Sequence, residues 1–174
     1  LGAYLARRIG DLVGIPAFFV DPVCVDEMTE VAHVSGFAEF RRLSQFHALN
    51  QKSVGRKAAR RLGKSYEEAR LIVCHLGGGV SVAAHDHGRV VDVFNVKDEG
   101  AMGMDRGGGL PVNQLIDYCY GGRSREEVKR TLGRRSGMLS YVGTTDFREI
   151  CARVVSGDER FTAAYRALVY QLAK

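Results

Sequence analysis

Residues 71–81 read LIVCHLGGGVS: an apolar run into a histidine, then three glycines, then apolar residues again. A tight turn needs one or two glycines to reach positive φ, so a third points to something that must approach the backbone closely. Backbone N–H groups at such a connection form a concave anion site, with His75 and Ser81 bracketing Gly77, Gly78 and Gly79. The glycines lead into a strand rather than a helix, with no G-K-[ST] between, which excludes a Walker phosphate loop. The local alternative is a hairpin with a bulge. A second open loop, KDEGAMGMDRGGGLP at 97–111, sets Arg106 among glycines, where its fork of donors suits a carboxylate or phosphate. Two such loops make a shared anion more natural than either does alone; a mobile surface loop with a solvated arginine is the plain alternative.

Other candidates are weaker. His47 opens a helical stretch, where the positive end of the dipole favours a neutral imidazole or a nearby anion. Asp21 ends an apolar run and suits a metal- or substrate-orienting carboxylate, although Asp-Pro is also an ordinary turn. His85 and His87 share a strand face beside a Gly88 turn and lack a third ligand in reach, so hairpin residues explain them better than chelation. Asp146 begins a helix with Thr145 as a candidate N-cap, and capping alone accounts for both.

The elements that must position these residues read as α/β. Apolar positions Leu1, Leu5, Ile9, Leu12 and Val13 predict a helix stopped by Gly14. IPAFFV at 15–20 predicts a buried strand ending at Asp21-Pro22, the strand end where such folds place functional groups. Residues 25–43 predict two short helices broken near Gly36, and 46–62 a longer helix stopped by Gly63. Three strands come next, 69–76, 80–86 and 89–96, joined by tight turns into an antiparallel meander. Helices are predicted over 112–120, 124–133 with a Ser124/Glu127 capping box, 146–155, and 158 to the end with a core-facing stripe.

At 174 residues, with 45% hydrophobic and 26% charged residues, the chain has the composition of an ordinary soluble domain. No apolar run approaches a membrane span and no secretory leader is visible. Cys24, Cys74, Cys119 and Cys151 form no C-x-x-C pair; a disulfide framework or zinc site is not supported, Cys74 is expected buried, and a cytoplasmic setting fits. The net charge of +5 comes from separate patches without interleaved aromatics, which argues against a nucleic-acid partner and is compatible with anionic small molecules. The chain opens on Leu1 and ends on Lys174 inside a helical pattern, as an interior piece of a longer protein would.

Taken together, FHALNQKSVGRKAAR, CHLGGGVSVAAHDHGRVVDV and NVKDEGAMGMDRGGGLPVNQLID resemble the acetate and butyrate kinase family, acyl-phosphate-forming kinases of the actin-like ATPase superfamily. The butyrate kinase branch is nearer, because the acetate branch has FHGTSH where this chain has FHALNQ and T-R-S-G where it has Asp105-Arg106-Gly107-Gly108. The resemblance implies an incomplete actin-like (ribonuclease H-like) α/β lobe, a mixed sheet with an antiparallel meander flanked by helices. Residues 1–24 would be the tail of a first lobe and 25–174 a second, nucleotide-binding lobe lacking its C-terminal part. It implies that His75, Gly77, Gly78, Gly79 and Ser81 form the loop over the phosphates of ATP or ADP. His47 and Arg106 would stabilise the transferring phosphoryl group, Asp21 would align substrate and Mg2+, and Asp146, Phe147 and Arg148 would lie by the nucleotide. The implied reaction moves the ATP γ-phosphoryl group reversibly to butyrate or a similar short-chain carboxylate, in a homo-oligomer. The alternatives are branched-chain acids or acetate as acceptors, or an inactive truncated nucleotide-binding module. The family's N-terminal phosphate turn, adenosine motif and late metal-associated glutamate are not in the sequence, so exposed apolar surface and association are expected where they would pack.

Overall fold

A computed structural model describes residues 2–174; Leu1 of the first helical stripe lies outside them. Helix α1, Gly2–Val13, packs on the extended segment after it, with the Ile15 amide donating to the Gly10 carbonyl at 3.1 Å. The strand expected over 15–20 is absent: Ile15, Phe18, Phe19 and Val20 are exposed and form no ladder. An apolar run becomes a strand only when a neighbouring backbone pairs with it, and none among the described residues does. The apolar face of α1, with Leu5, Ile9, Leu12 and Val13, is exposed as well. Asp21 therefore ends no strand; it sits in a turn with φ of 42°.

The two short helices expected over 25–43 are also corrected. That segment holds one 3-10 turn, Val31–His33, and an isolated bridge between Val34 and Arg41. It is pinned by side chains: Arg42 reaches Glu99 at 2.9 Å and Asp92 at 3.0 Å and donates to the carbonyls of Ala32 and Val93. Such a segment is fixed by distant partners rather than by its own periodicity.

From Ala48 to Phe94 the long helix and the three strands fall close to where they are expected. Helix α2, Ala48–Arg61, precedes strands β1 (Arg70–Leu76), β2 (Val80–Asp86) and β3 (Arg89–Phe94), which pair antiparallel in the order β1-β2-β3. The mixed sheet expected is represented among the described residues by this meander alone. One face of the sheet packs Ala83, Val90 and Val93 against Phe46, Ala48 and Met28. The other leaves Ile72, Leu76 and Phe94 exposed, and Cys74 with them, contrary to the buried thiol expected. Strand alternation puts Val73 inward and its neighbours outward.

Helices α3 (Val112–Tyr120), α4 (Arg125–Arg134), α5 (Gly137–Val142), α6 (Phe147–Val155) and α7 (Glu159–Ala173) complete the chain. Helix α5 escapes the periodicity reading because it begins at Gly137, with φ of 60°, directly after the residues that end α4. A second core forms where Met102 and Met104 of the glycine-rich loop insert among Met138, Val142, Ile150, Phe161 and Leu168. That loop is thus anchored from below by its methionines while Arg106, Gly107 and Gly108 stay partly exposed.

Candidate functional site

The turn between β1 and β2 holds residues 77–79 between the closing pair Leu76 and Val80, with His75 opposite Ser81. None of the three glycines has a φ in the left-handed region. Their lack of side chains is used for close approach instead. A Cβ on Gly79 would lie 2.5 Å from Val96 Cγ2 and 2.8 Å from Arg106 Nη1, whereas one on Gly78 would meet only Asp105 Oδ1 at 3.5 Å. Arg106 therefore lies flush against bare backbone, and Gly78 is the open point of the turn.

The two glycine loops are joined. The amides of Met104 and Asp105 donate to the Gly78 carbonyl at 3.1 and 3.4 Å, and a Cβ on Gly103 would sit 2.4 Å from that same oxygen. Asp105 Oδ1 is buried without a hydrogen-bond partner among the described residues, an acceptor left for a donor or cation that a ligand would bring.

His47 stands at the N-cap of α2, its imidazole stacked on that of His75 with centroids 3.6 Å apart and planes 11° apart. Burial, with His75 and Arg106 as charged or chargeable neighbours, lowers its pKa to about 4, so it is neutral near pH 7. Its Nδ1 lies 2.8 Å from Ser81 Oγ. Ser81, expected to touch nucleotide, is fully buried, its hydroxyl committed to His47 and Gln51. It supports the site from behind. Gln51 and Asn50, the latter 2.9 Å from His75 Nδ1, join the site without having stood out in the sequence. Their one available signal was position, one turn along α2 from His47.

His85 and His87 do not converge. His85 is buried, 2.6 Å from the Tyr66 hydroxyl, while His87 has φ of 48° in the exposed turn and pairs with Asp86. Burial lowers the His85 pKa to about 4, with Lys52 beside it. The unfolded imidazole takes its proton near pH 6.5, so the unfolded state binds the extra proton between the two values. Stability is thus fully present above pH 6.5 and falls as pH drops toward 4, by about 2 kcal/mol at pH 5 from this group. Urea midpoints at pH 7 and pH 5 measure it: a lower midpoint at pH 5 is expected, and an equal one contradicts a buried neutral His85.

Asp21 lies outside the glycine turn, held toward α2 by Lys52 at 3.7 Å and Arg56 at 3.9 Å. Lys52 is buried and bonds Glu27 at 2.6 Å, whose other oxygen takes the Val90 amide at 2.8 Å. Among the described residues no three His, Cys, Asp or Glu side chains gather as a metal site.

Asp146 is the N-cap of α6, accepting the Arg148 amide at 2.9 Å and its guanidinium at 3.0 Å; Asp146 and Arg148 thus serve each other. Phe147 is different. With Thr145, Tyr165 and Leu168 it walls an apolar cavity of about 350 Å3 whose rim includes Gly77, Gly78 and Met104. A second cavity, of about 620 Å3, has Arg106, Lys97 and Lys129 in its wall beside Leu110, Leu115 and Leu132. The geometry brings together bare backbone at 77–79, one arginine and one neutral histidine, a set that suits an anion, beside an apolar pocket and a cationic-apolar one.

The sequence pattern of the acetokinase family matches residues 36–174. Across its whole length the chain is 46% identical to a probable butyrate kinase of Listeria monocytogenes serovar 1/2a (strain EGD-e) and 42% identical to butyrate kinase 1 of Clostridium acetobutylicum, covering 50% of each. An acetate kinase of Porphyromonas gingivalis matches in structure with a TM-score of 0.74 at 28% identity, over 83% of this chain and 39% of that one. The chain spans half the length of the curated relatives it matches.

Proposed function

The chain belongs to the acetokinase family, and from that premise we propose that it supplies the phosphoryl-transfer half of a carboxylate kinase of butyrate kinase type. The reaction moves the ATP γ-phosphoryl group to a short-chain carboxylate, giving acyl phosphate and ADP, and runs in both directions. The fold is that of the acetate and propionate kinases, within the actin-like ATPases. The observation that carries the reading is the junction of the two glycine loops, with Arg106 laid over Gly79 and neutral His47 stacked on His75.

The carboxylate oxygen attacks as an anion already, so the protein need not generate a nucleophile. Its task is to align two anions and cancel their repulsion. The backbone of residues 77–79 and the Arg106 fork hold the transferring group, and His47 donates to it. The nucleoside enters the apolar cavity at Phe147, and the acyl group lies in the cavity whose wall includes Arg106. Asp21 fits a Mg2+ ligand: its cation partners stand 3.7 and 3.9 Å away, beyond hydrogen-bond range, so both oxygens keep lone pairs. Mg2+ is held through one or two carboxylates plus phosphate oxygens and neutralises phosphate charge when bound. Asp105, whose buried Oδ1 has no hydrogen-bond partner among the described residues, is the second candidate carboxylate.

In this reading residues 1–24 belong to a first lobe and 25–174 to the nucleotide lobe, and the enzyme works in the cytoplasm as a homo-oligomer. The exposed apolar face of α1 and the open sheet face support packing against further protein. No helix of the described residues is long and apolar enough to cross a membrane. Hydroxylamine trapping tests the activity: the gene product carrying this chain, given ATP, Mg2+ and butyrate, forms hydroxamate, and its absence with butyrate, branched-chain acids and acetate alike rejects the proposal.

A further inference from the structure

Behind His47 runs a file of buried side chains whose hydrogen-bond direction is set by one backbone carbonyl. One end of the Gln51 amide lies 3.0 Å from the Ser81 carbonyl oxygen and 2.8 Å from Ser81 Oγ. A carbonyl oxygen only accepts, so that end is the NH2 group; the flipped amide would set oxygen against oxygen. The other end, Oε1, then accepts from His85 Nε2 at 3.3 Å. With its proton on Nε2, neutral His85 accepts the Tyr66 hydroxyl at Nδ1, at 2.6 Å.

On the near side, Ser81 Oγ receives the Gln51 N–H and, at 3.4 Å, the His47 backbone N–H. Both its lone pairs are taken. Its own proton must go to His47 Nδ1, 2.8 Å away. The single proton of neutral His47 is left on Nε2. Every hydrogen bond from Tyr66 to His47 thus has its direction fixed.

We infer that Tyr66, His85, Gln51 and Ser81 are positioning residues that lock His47 in its Nε2–H tautomer, so that it serves phosphoryl transfer as a neutral hydrogen-bond donor and not as a base. The use of that donor rests on the phosphotransfer reading; the tautomer does not. Gln51 and Ser81 are 0% exposed and His85 2%, so water cannot replace a lost link, and each break leaves a buried group unpaired. The low pKa values of His47 and His85 agree with a file that works only while both rings are neutral.

Long-range 1H–15N correlation spectra of the 15N-histidine-labelled gene product at pH 7.5 test this, with His47→Gln and His85→Gln assigning the signals. Both rings are expected to show an unprotonated Nδ1 and a protonated Nε2; a protonated Nδ1 on His47 in the wild-type protein overturns the inference. Gln51→Glu puts an acceptor where the amide donated, drawing the Ser81 proton away from His47. The His47 signal is then expected to move to the Nδ1–H form and turnover to fall about 100-fold, with nucleotide Kd within about twofold. A folded Gln51→Glu protein with unchanged tautomer and turnover overturns it. An Nε2–H tautomer in a wild-type protein that makes no acyl phosphate upholds the file and rejects the kinase reading instead.

Discussion

Arg106→Ala in the gene product carrying this chain is expected to lower kcat for acyl phosphate formation by about 1,000-fold while changing nucleotide Kd by less than about tenfold. The expectation comes from where the guanidinium lies and what it leaves free. Nη1 is within 2.8 Å of the place a Cβ would take on Gly79, so the fork borders the glycine turn itself. Its one charged partner among the described residues is Asp105, at 4.0 Å, the outer limit of an ion pair. In the proposed reaction a positive group with uncommitted donors would face the point where charge spreads over the phosphoryl oxygens, and would act on the transition state more than on the ground state. Arg106→Lys keeps the charge without the planar fork and is expected to recover about tenfold of the loss. Hydroxamate assays give kcat and calorimetry gives Kd; an unchanged kcat removes Arg106 from the mechanism. Because the side chain is 39% exposed, the substitution should leave Tm nearly unmoved, which separates chemistry from folding.

Gly137→Ala should be strongly destabilising for so small a substitution. Gly137 has φ of 60°, and a Cβ there would stand 2.3 Å from the Gly103 carbonyl oxygen and 2.5 Å from that of Arg106. Both obstacles are backbone, so no rotamer change relieves them. The amide of Met138 also donates to the Gly103 carbonyl at 3.0 Å, which ties the start of α5 to the glycine loop. The combined cost is about 3 kcal/mol or more, from the left-handed backbone and the displaced loop together. Thermal melting should show a fall of roughly 10 °C. The damage should also reach the site, because Gly103 abuts the Gly78 carbonyl and the same loop carries Arg106. Gly133→Ala, inside α4 with nothing within 4 Å of the added Cβ, is the control and should stabilise by about 0.5–1 kcal/mol. Equal melting of the two variants would refute this account of the loop.

The sheet and its turns were readable because their causes are local. Apolar runs bounded by 77–79 and 86–88 specify strands and hairpins whatever surrounds them, and the hairpin pairing is dictated by the turn lengths. Helices α4, α6 and α7 carry their own caps at Ser124, Asp146 and Asp158. Residues 15–20 misled for the opposite reason: IPAFFV is apolar enough for a strand, but a ladder needs a second backbone that the described residues do not provide. Residues 25–43 misled because Arg42, bound to acids 50 and 57 positions away, outweighs local preference there.

The residue types at the site were fixed by the sequence alone: three glycines after His75, an arginine among glycines at 106, a histidine at the head of α2. Those are choices of chemistry, and chemistry is written in side chains. The tertiary structure decided which of them meet. It laid Arg106 on Gly79, stacked His47 on His75, withdrew Ser81 from the surface and turned Asp146 and Arg148 toward each other. It also built the file from Tyr66 to His47, whose successive links join residues 19 to 34 positions apart. No local pattern encodes such a file, because its direction depends on a single carbonyl oxygen brought within 3.0 Å of an amide by the packing of α2 on the sheet.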